Sequence, residues 1–209
     1  MTGPMRALAA VSTLGLLLVA CAPAGSGSRV GLGTDGGAIA WGEGDYGVVL
    51  IHDSGTDAGA WDAVALAMAE QGMTALAPDG THDAAVRAAI GYLRDERGLE
   101  RVALVAAGSG GAAALTVGRD APDLVDQLIL ISVPGDAATV AGLGEFPKLF
   151  AASEGEAAAS AAEAMTGAAP GLWNALFLAP GSASGQAIFA SEGGDELLDA
   201  VLRRLDERR

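Results

Sequence analysis

The tightest constraint on this chain is a series of short, nearly unbroken apolar runs, each followed by a helical stripe or a glycine-rich turn. They are "YGVVLIH" at 46–52, "MTALAP" at 73–78, "RVALVAA" at 101–107, "QLILISV" at 127–133, "KLFAAS" at 148–153 and "ALFLA" at 175–179. A strand with no polar alternation has to be covered on both faces. Between the runs, Trp61, Val64 and Met68 share one helical face, with Thr56 or Asp57 placed to cap it and Gly72 to end it. Val86, Ile90 and Leu93 form a second stripe that stops at Gly98, and an alanine-rich helix runs to about Gly118. The last helix, Asp195 to about Arg208, buries Leu197, Val201 and Leu205; its first turn is acidic and Arg203, Arg204 and Arg208 lie near its end, which suits the macrodipole. This alternation predicts an α/β fold with a doubly wound, mostly parallel sheet, whose functional residues follow the carboxyl ends of strands.

The amino-terminal segment is of another kind. Arg6 is followed by "ALAAVSTLGLLLVA", short for a membrane span and the right length for the apolar core of an export signal. It ends in Leu18-Val19-Ala20-Cys21, which resembles the lipobox of bacterial lipoproteins, an ordinary cleaved signal or short anchor being the alternative. The resemblance implies cleavage after residue 20, a lipid on Cys21 and an extracytoplasmic protein held at the cell envelope. Cys21 is the only cysteine, so the chain forms no internal disulfide. "APAGSGSRVGLGTDGGA" is rich in Gly and Ser and reads as a flexible tether, giving the expected division 1–20 signal, 21–38 tether and 39–209 folded domain.

Composition narrows the partners. The chain has 209 residues, 51% of them hydrophobic, enough for one buried domain. Its formal charge of −14 argues against nucleic acid, since phosphate binding needs clustered Lys and Arg. No residues have metal-ligand spacing, and no cofactor is expected. Gly108-Ser109-Gly110-Gly111-Ala112-Ala113 fits a dinucleotide fingerprint, but the next strand ends in Ile131-Ser132-Val133-Pro134 without the acid that would hold a ribose.

From about residue 46 to 208 the chain resembles a small, lidless α/β-hydrolase of the dienelactone hydrolase-like kind. "LIHDSGTDAGAW" resembles the oxyanion loop, normally His-Gly followed by small residues and a Trp, and so marks His52, Asp53 and Ser54. "VALVAAGSGG" resembles the strand and nucleophile elbow, "KLFAASEGE" the strand that delivers the acid, and "FLAPGSASG" the strand and loop that deliver the histidine. The chemistry of the triad is altered at every position. Ser184 stands where the family has histidine, and a serine is no base at neutral pH. Glu156 stands at the acid position, where with no imidazole to orient it is expected to be a solvated acid at a helix start.

Two registers are open at the elbow. With equal lengths, Gly108 takes the nucleophile position and Ser109 the next, whose N–H faces the oxyanion hole; this is the favoured register, because Gly110 and Gly111 then fall on family glycines. A shift of one makes Ser109 the nucleophile. The leading expectation is therefore a lipid-anchored hydrolase homologue that has lost catalysis and binds or scaffolds a small-molecule or protein ligand. The alternative is a weak serine esterase using Ser109 with His52 or His82 as an unusual base. Structural roles are the simpler reading of both histidines; Trp61 is expected in the core, whereas Trp41 and Trp173 are candidates to line a groove.

Overall fold

The computed structural model describes residues 27–207. Cys21, the segment read as an export signal and Arg208 lie outside them. Eight strands form one sheet: β1 (Ser28–Gly31), β2 (Gly37–Trp41), β3 (Tyr46–Ile51), β4 (Met73–Pro78), β5 (Val102–Ala107), β6 (Gln127–Ile131), β7 (Lys148–Ser153) and β8 (Asn174–Ala179). Their order is β1-β2-β4-β3-β5-β6-β7-β8. β1 pairs antiparallel with β2, and β2 antiparallel with β4; every other pairing is parallel.

Five α-helices cover the sheet: α1 (Asp62–Glu70), α2 (Asp83–Gly91), α3 (Gly111–Asp120), α4 (Ala158–Ala168) and α5 (Gly194–Asp206). The two faces of β5 show why its run does not alternate. Val102, Leu104 and Ala106 pack with Val86 and Ile90 of α2, Val117 of α3 and Met165 of α4. Ala103, Val105 and Ala107 pack with Trp61, with Val64 and Met68 of α1, and with Leu197 and Val201 of α5. The fold is thus the predicted doubly wound sheet, with no cap domain among the described residues.

Three expectations change. β1 lies inside the stretch read as tether, so the sheet takes in residues from Ser28 on, ahead of the start expected near Ile39. Trp41 lines no groove: it is buried, and its indole N–H donates to Asp62 at 2.9 Å. Trp173 is exposed, but it precedes β8, at the end of the sheet opposite the carboxyl ends of the parallel strands. Trp61 is fully buried, as expected. Asp57, one of the two predicted caps, accepts from the Gly59 N–H at 2.8 Å.

Candidate functional site

The strand order reverses at β3, whose parallel neighbours are β4 and β5. In open α/β sheets ligands bind beyond the carboxyl ends of strands at such a reversal. Here the reversal brings together the loop after β3, with His52, Asp53 and Ser54, and the turn after β5, with Gly108 and Ser109. Both turns open on a cavity of about 830 Å³, whose lining includes Asp53, Gly108, Ser109, Ser132, Glu156 and Ser184. All three triad positions inferred from the resemblance, with the alternative nucleophile Ser109, therefore meet at one place.

The backbone of the turn after β5 is sharply bent at Gly108. Gly108 follows β5 directly with φ +51°, a left-handed conformation between an extended strand and a helical turn. Ser109 comes next, already in the turn that leads into α3. Gly110 has to be glycine for another reason: a Cβ there would collide with the backbone carbonyl of His52.

No nucleophile stands at Gly108, and its side-chain space is filled by Asp53. A Cβ placed on Gly108 would lie 2.8 Å from Asp53 Oδ1 and closer still to Oδ2. Asp53 Oδ1 accepts hydrogen bonds from the Ser109 N–H (3.1 Å), the Ser109 hydroxyl (2.7 Å), the Ser54 N–H (2.7 Å) and, at 3.4 Å, the Ser54 hydroxyl. The Ser109 hydroxyl holds this carboxyl below the usual aspartate range, against the opposing pull of its partial burial; the backbone N–H groups of Ser109 and Ser54 add to the lowering.

Neither histidine serves Ser109. His52 is buried, with Nδ1 2.8 Å from the Asp53 carbonyl and Nε2 3.2 Å from the Asp79 carbonyl. Because carbonyl oxygens only accept, each nitrogen faces a group that wants its proton, and neither is turned toward a serine. His82 immediately precedes α2, is exposed, and lines a separate cleft between α2 and α3. Structural roles fit both.

Glu156 departs from the expectation of a solvated acid. It is half-buried, and its Oε1 accepts from the Ser132 hydroxyl at 2.6 Å and from the Ser153 N–H at 2.7 Å. The Ser132 oxygen in turn accepts from the Gly185 N–H at 2.7 Å, next to Ser184. The acid thus orients a hydroxyl that pins the loop after β8. Ser132 escaped the sequence reading. It is the only non-glycine among the described residues with positive φ, at +54°, and the signal for it was a hydroxyl directly after an apolar strand. Ser184 is exposed at the cavity wall, and its side chain accepts no capping hydrogen bond from the turn it precedes.

Among the described residues, no group of three or more His, Cys, Asp or Glu side chains is placed to hold a metal, and no helix is long and apolar enough to cross a membrane. No family model matches the chain, and no curated protein matches its sequence. Solved structures do resemble it. A monoacylglycerol lipase of Paleococcus ferrophilus is 13% identical, with 82% of this chain and 98% of the lipase covered and a TM-score of 0.67. An esterase of Pyrococcus furiosus is 11% identical, covering 87% of this chain and 91% of its own at a TM-score of 0.67. A CIB-like hydrolase of Thermoplasma acidophilum is 14% identical over 87% of this chain and 97% of its own, at 0.65. The chain has the α/β-hydrolase fold.

Proposed function

We propose that the chain is a non-catalytic protein of α/β-hydrolase fold, held at the extracytoplasmic face of a membrane by a lipid on Cys21, whose cavity beyond β5 binds a small molecule or a segment of a partner. The observation that carries this reading is the pairing of Gly108, at the elbow where a nucleophile belongs, with Ser184, at the position of the base. Without either group there is nothing to attack a carbonyl and nothing to take the proton. The cavity walls supply Asp53, Asp136 and Glu156 beside Pro134 and four alanines, and none of the lining residues is basic. Such a lining suits a neutral, partly apolar ligand and opposes an anionic one.

The test is to treat the purified mature chain with a fluorophosphonate serine-hydrolase probe and a short-chain ester. Neither labelling nor hydrolysis above a heat-denatured control is expected. One contact favours a second reading, a weak hydrolase using Ser109: its hydroxyl donates to the Asp53 carboxylate at 2.7 Å. That carboxylate holds protons less readily than an ordinary aspartate, which makes it a poor base. Labelling at Ser109 that Ser109→Ala abolishes would establish the second reading. The anchor has its own test: Cys21→Ala should release the protein from the membrane fraction or leave the precursor uncleaved, and unchanged processing and retention would defeat the lipid.

A further inference from the structure

We infer that the Asp53 carboxylate is a built-in occupant of the oxyanion hole, so that the chain retains a working anion site and fills it with its own side chain. In acyl transfer that hole is recognised by donors converging on a single oxygen. Here the Ser109 N–H and the Ser54 N–H, one from the turn after β5 and one from the loop after β3, both converge on Asp53 Oδ1, joined by the Ser109 hydroxyl. A proton on that oxygen would oppose the donors, and the lowered affinity of Asp53 for protons agrees with the geometry.

The occupancy is tied to the loss of the nucleophile. The carboxylate lies over Gly108 in the volume a serine side chain would claim, while Asp53 itself stands where the resembling loop carries glycine. Gly108 has no side chain in this space and the Asp53 carboxylate fills it. The backbone that presents the carboxylate is fixed on several sides. The Asp53 carbonyl faces His52 Nδ1 and accepts from the Thr56 N–H at 3.0 Å, and the Asp53 N–H donates to Gln186 Oε1 at 3.1 Å. The other carboxylates lining the cavity are engaged elsewhere, Asp136 with Ala138 and Thr139, and Glu156 with Ser132 and Ser153.

Removing the carboxylate should therefore uncover a site for a small external carboxylate. The experiment follows the backbone amide resonances of Ser109 and Ser54 in the mature chain during titration with sodium formate, against sodium chloride at matched ionic strength. In Asp53→Ala both amides should shift saturably with formate alone, with an apparent affinity at least about tenfold above wild type, because in wild type the open form is scarce. Equal formate binding by wild type, or a folded Asp53→Ala variant whose amides ignore formate, would overturn the inference. If Asp53→Ala does not fold, wild type decides: both amides should move together at one acidic midpoint, and that joint transition should vanish in Asp53→Asn. Amides that titrate separately, or unchanged in Asp53→Asn, would overturn it. No turnover is read, so the outcome is separate from that of the serine-hydrolase probe.

Discussion

At the scale of single residues, the walls of the cavity beyond β5 are tied together by side-chain hydrogen bonds. Glu156, Ser132 and the Gly185 N–H form a continuous chain in which each polar atom satisfies the next. Ser132→Ala breaks both links while leaving the left-handed backbone in place. It should lower stability by about 2 kcal/mol, read as a fall in urea midpoint at unchanged m-value, because a half-buried carboxylate and a buried N–H each lose a partner. Asp53 adds a pH dependence whose sign follows from its lowered affinity for protons. Its contribution is fully present above the ordinary aspartate range and is lost as pH falls through the folded-state value. Wild type should therefore lose stability relative to Asp53→Asn on acidification below about pH 4, and a constant difference between the two melting curves would count against the Asp53 contacts. The place of the turn after β5 was legible in the sequence, since an apolar run ends there in clustered glycines. The conduct of Asp53 was not, because it depends on which side chain fills the space above Gly108, and spacing along the chain carries no such information.

At the scale of elements, legibility tracked burial. β3 to β7 are covered on both faces and wrote themselves as apolar runs, whereas β1 is an edge strand with an exposed pattern and a Gly/Ser-rich composition that reads as tether. β1 pairs with β2 over four residues, so a chain starting at residue 33 should expose the edge of β2 and be less stable and more prone to associate than one starting at residue 27. Equal melting temperatures and equal monomer content would show that β1 is dispensable. The alanine-rich α4 offered too weak a stripe to be delimited in advance. β7 begins with the single lysine of the chain, buried, with its ammonium donating to the carbonyls of Gly144, Phe146 and Pro170 at 2.7, 2.7 and 2.8 Å. Lys148→Met would strand three acceptors and should cost roughly 3 kcal/mol in denaturant unfolding. A cost near zero would mean that these loops find water instead.

At the scale of the whole molecule, an architecture shared with lipases and esterases carries Gly108 and Ser184 at the positions where the resemblance expects a nucleophile and a base. Fold alone is therefore no guide to activity here. The proposed absence of catalysis rests on Gly108 at the nucleophile position, with the Asp53 carboxylate in the space of the missing side chain and Ser184 in place of the base. The most direct measurement is intact mass after exposure to a fluorophosphonate, followed by peptide mapping, on wild type and two combined variants. Gly108→Ser with Glu156→Asp and Ser184→His restores the triad but leaves the carboxylate in the serine's space, and it should stay unlabelled. Adding Asp53→Gly clears that space and removes the carboxylate from the Ser109 and Ser54 N–H donors, and the fourfold variant should be labelled at residue 108. The serine in a left-handed backbone is expected to cost about 1 to 3 kcal/mol, so a melting curve must accompany each variant. Unlabelled wild type with a labelled fourfold variant is the predicted result; labelling of wild type at Ser109, or a folded fourfold variant that remains inert, would contradict it.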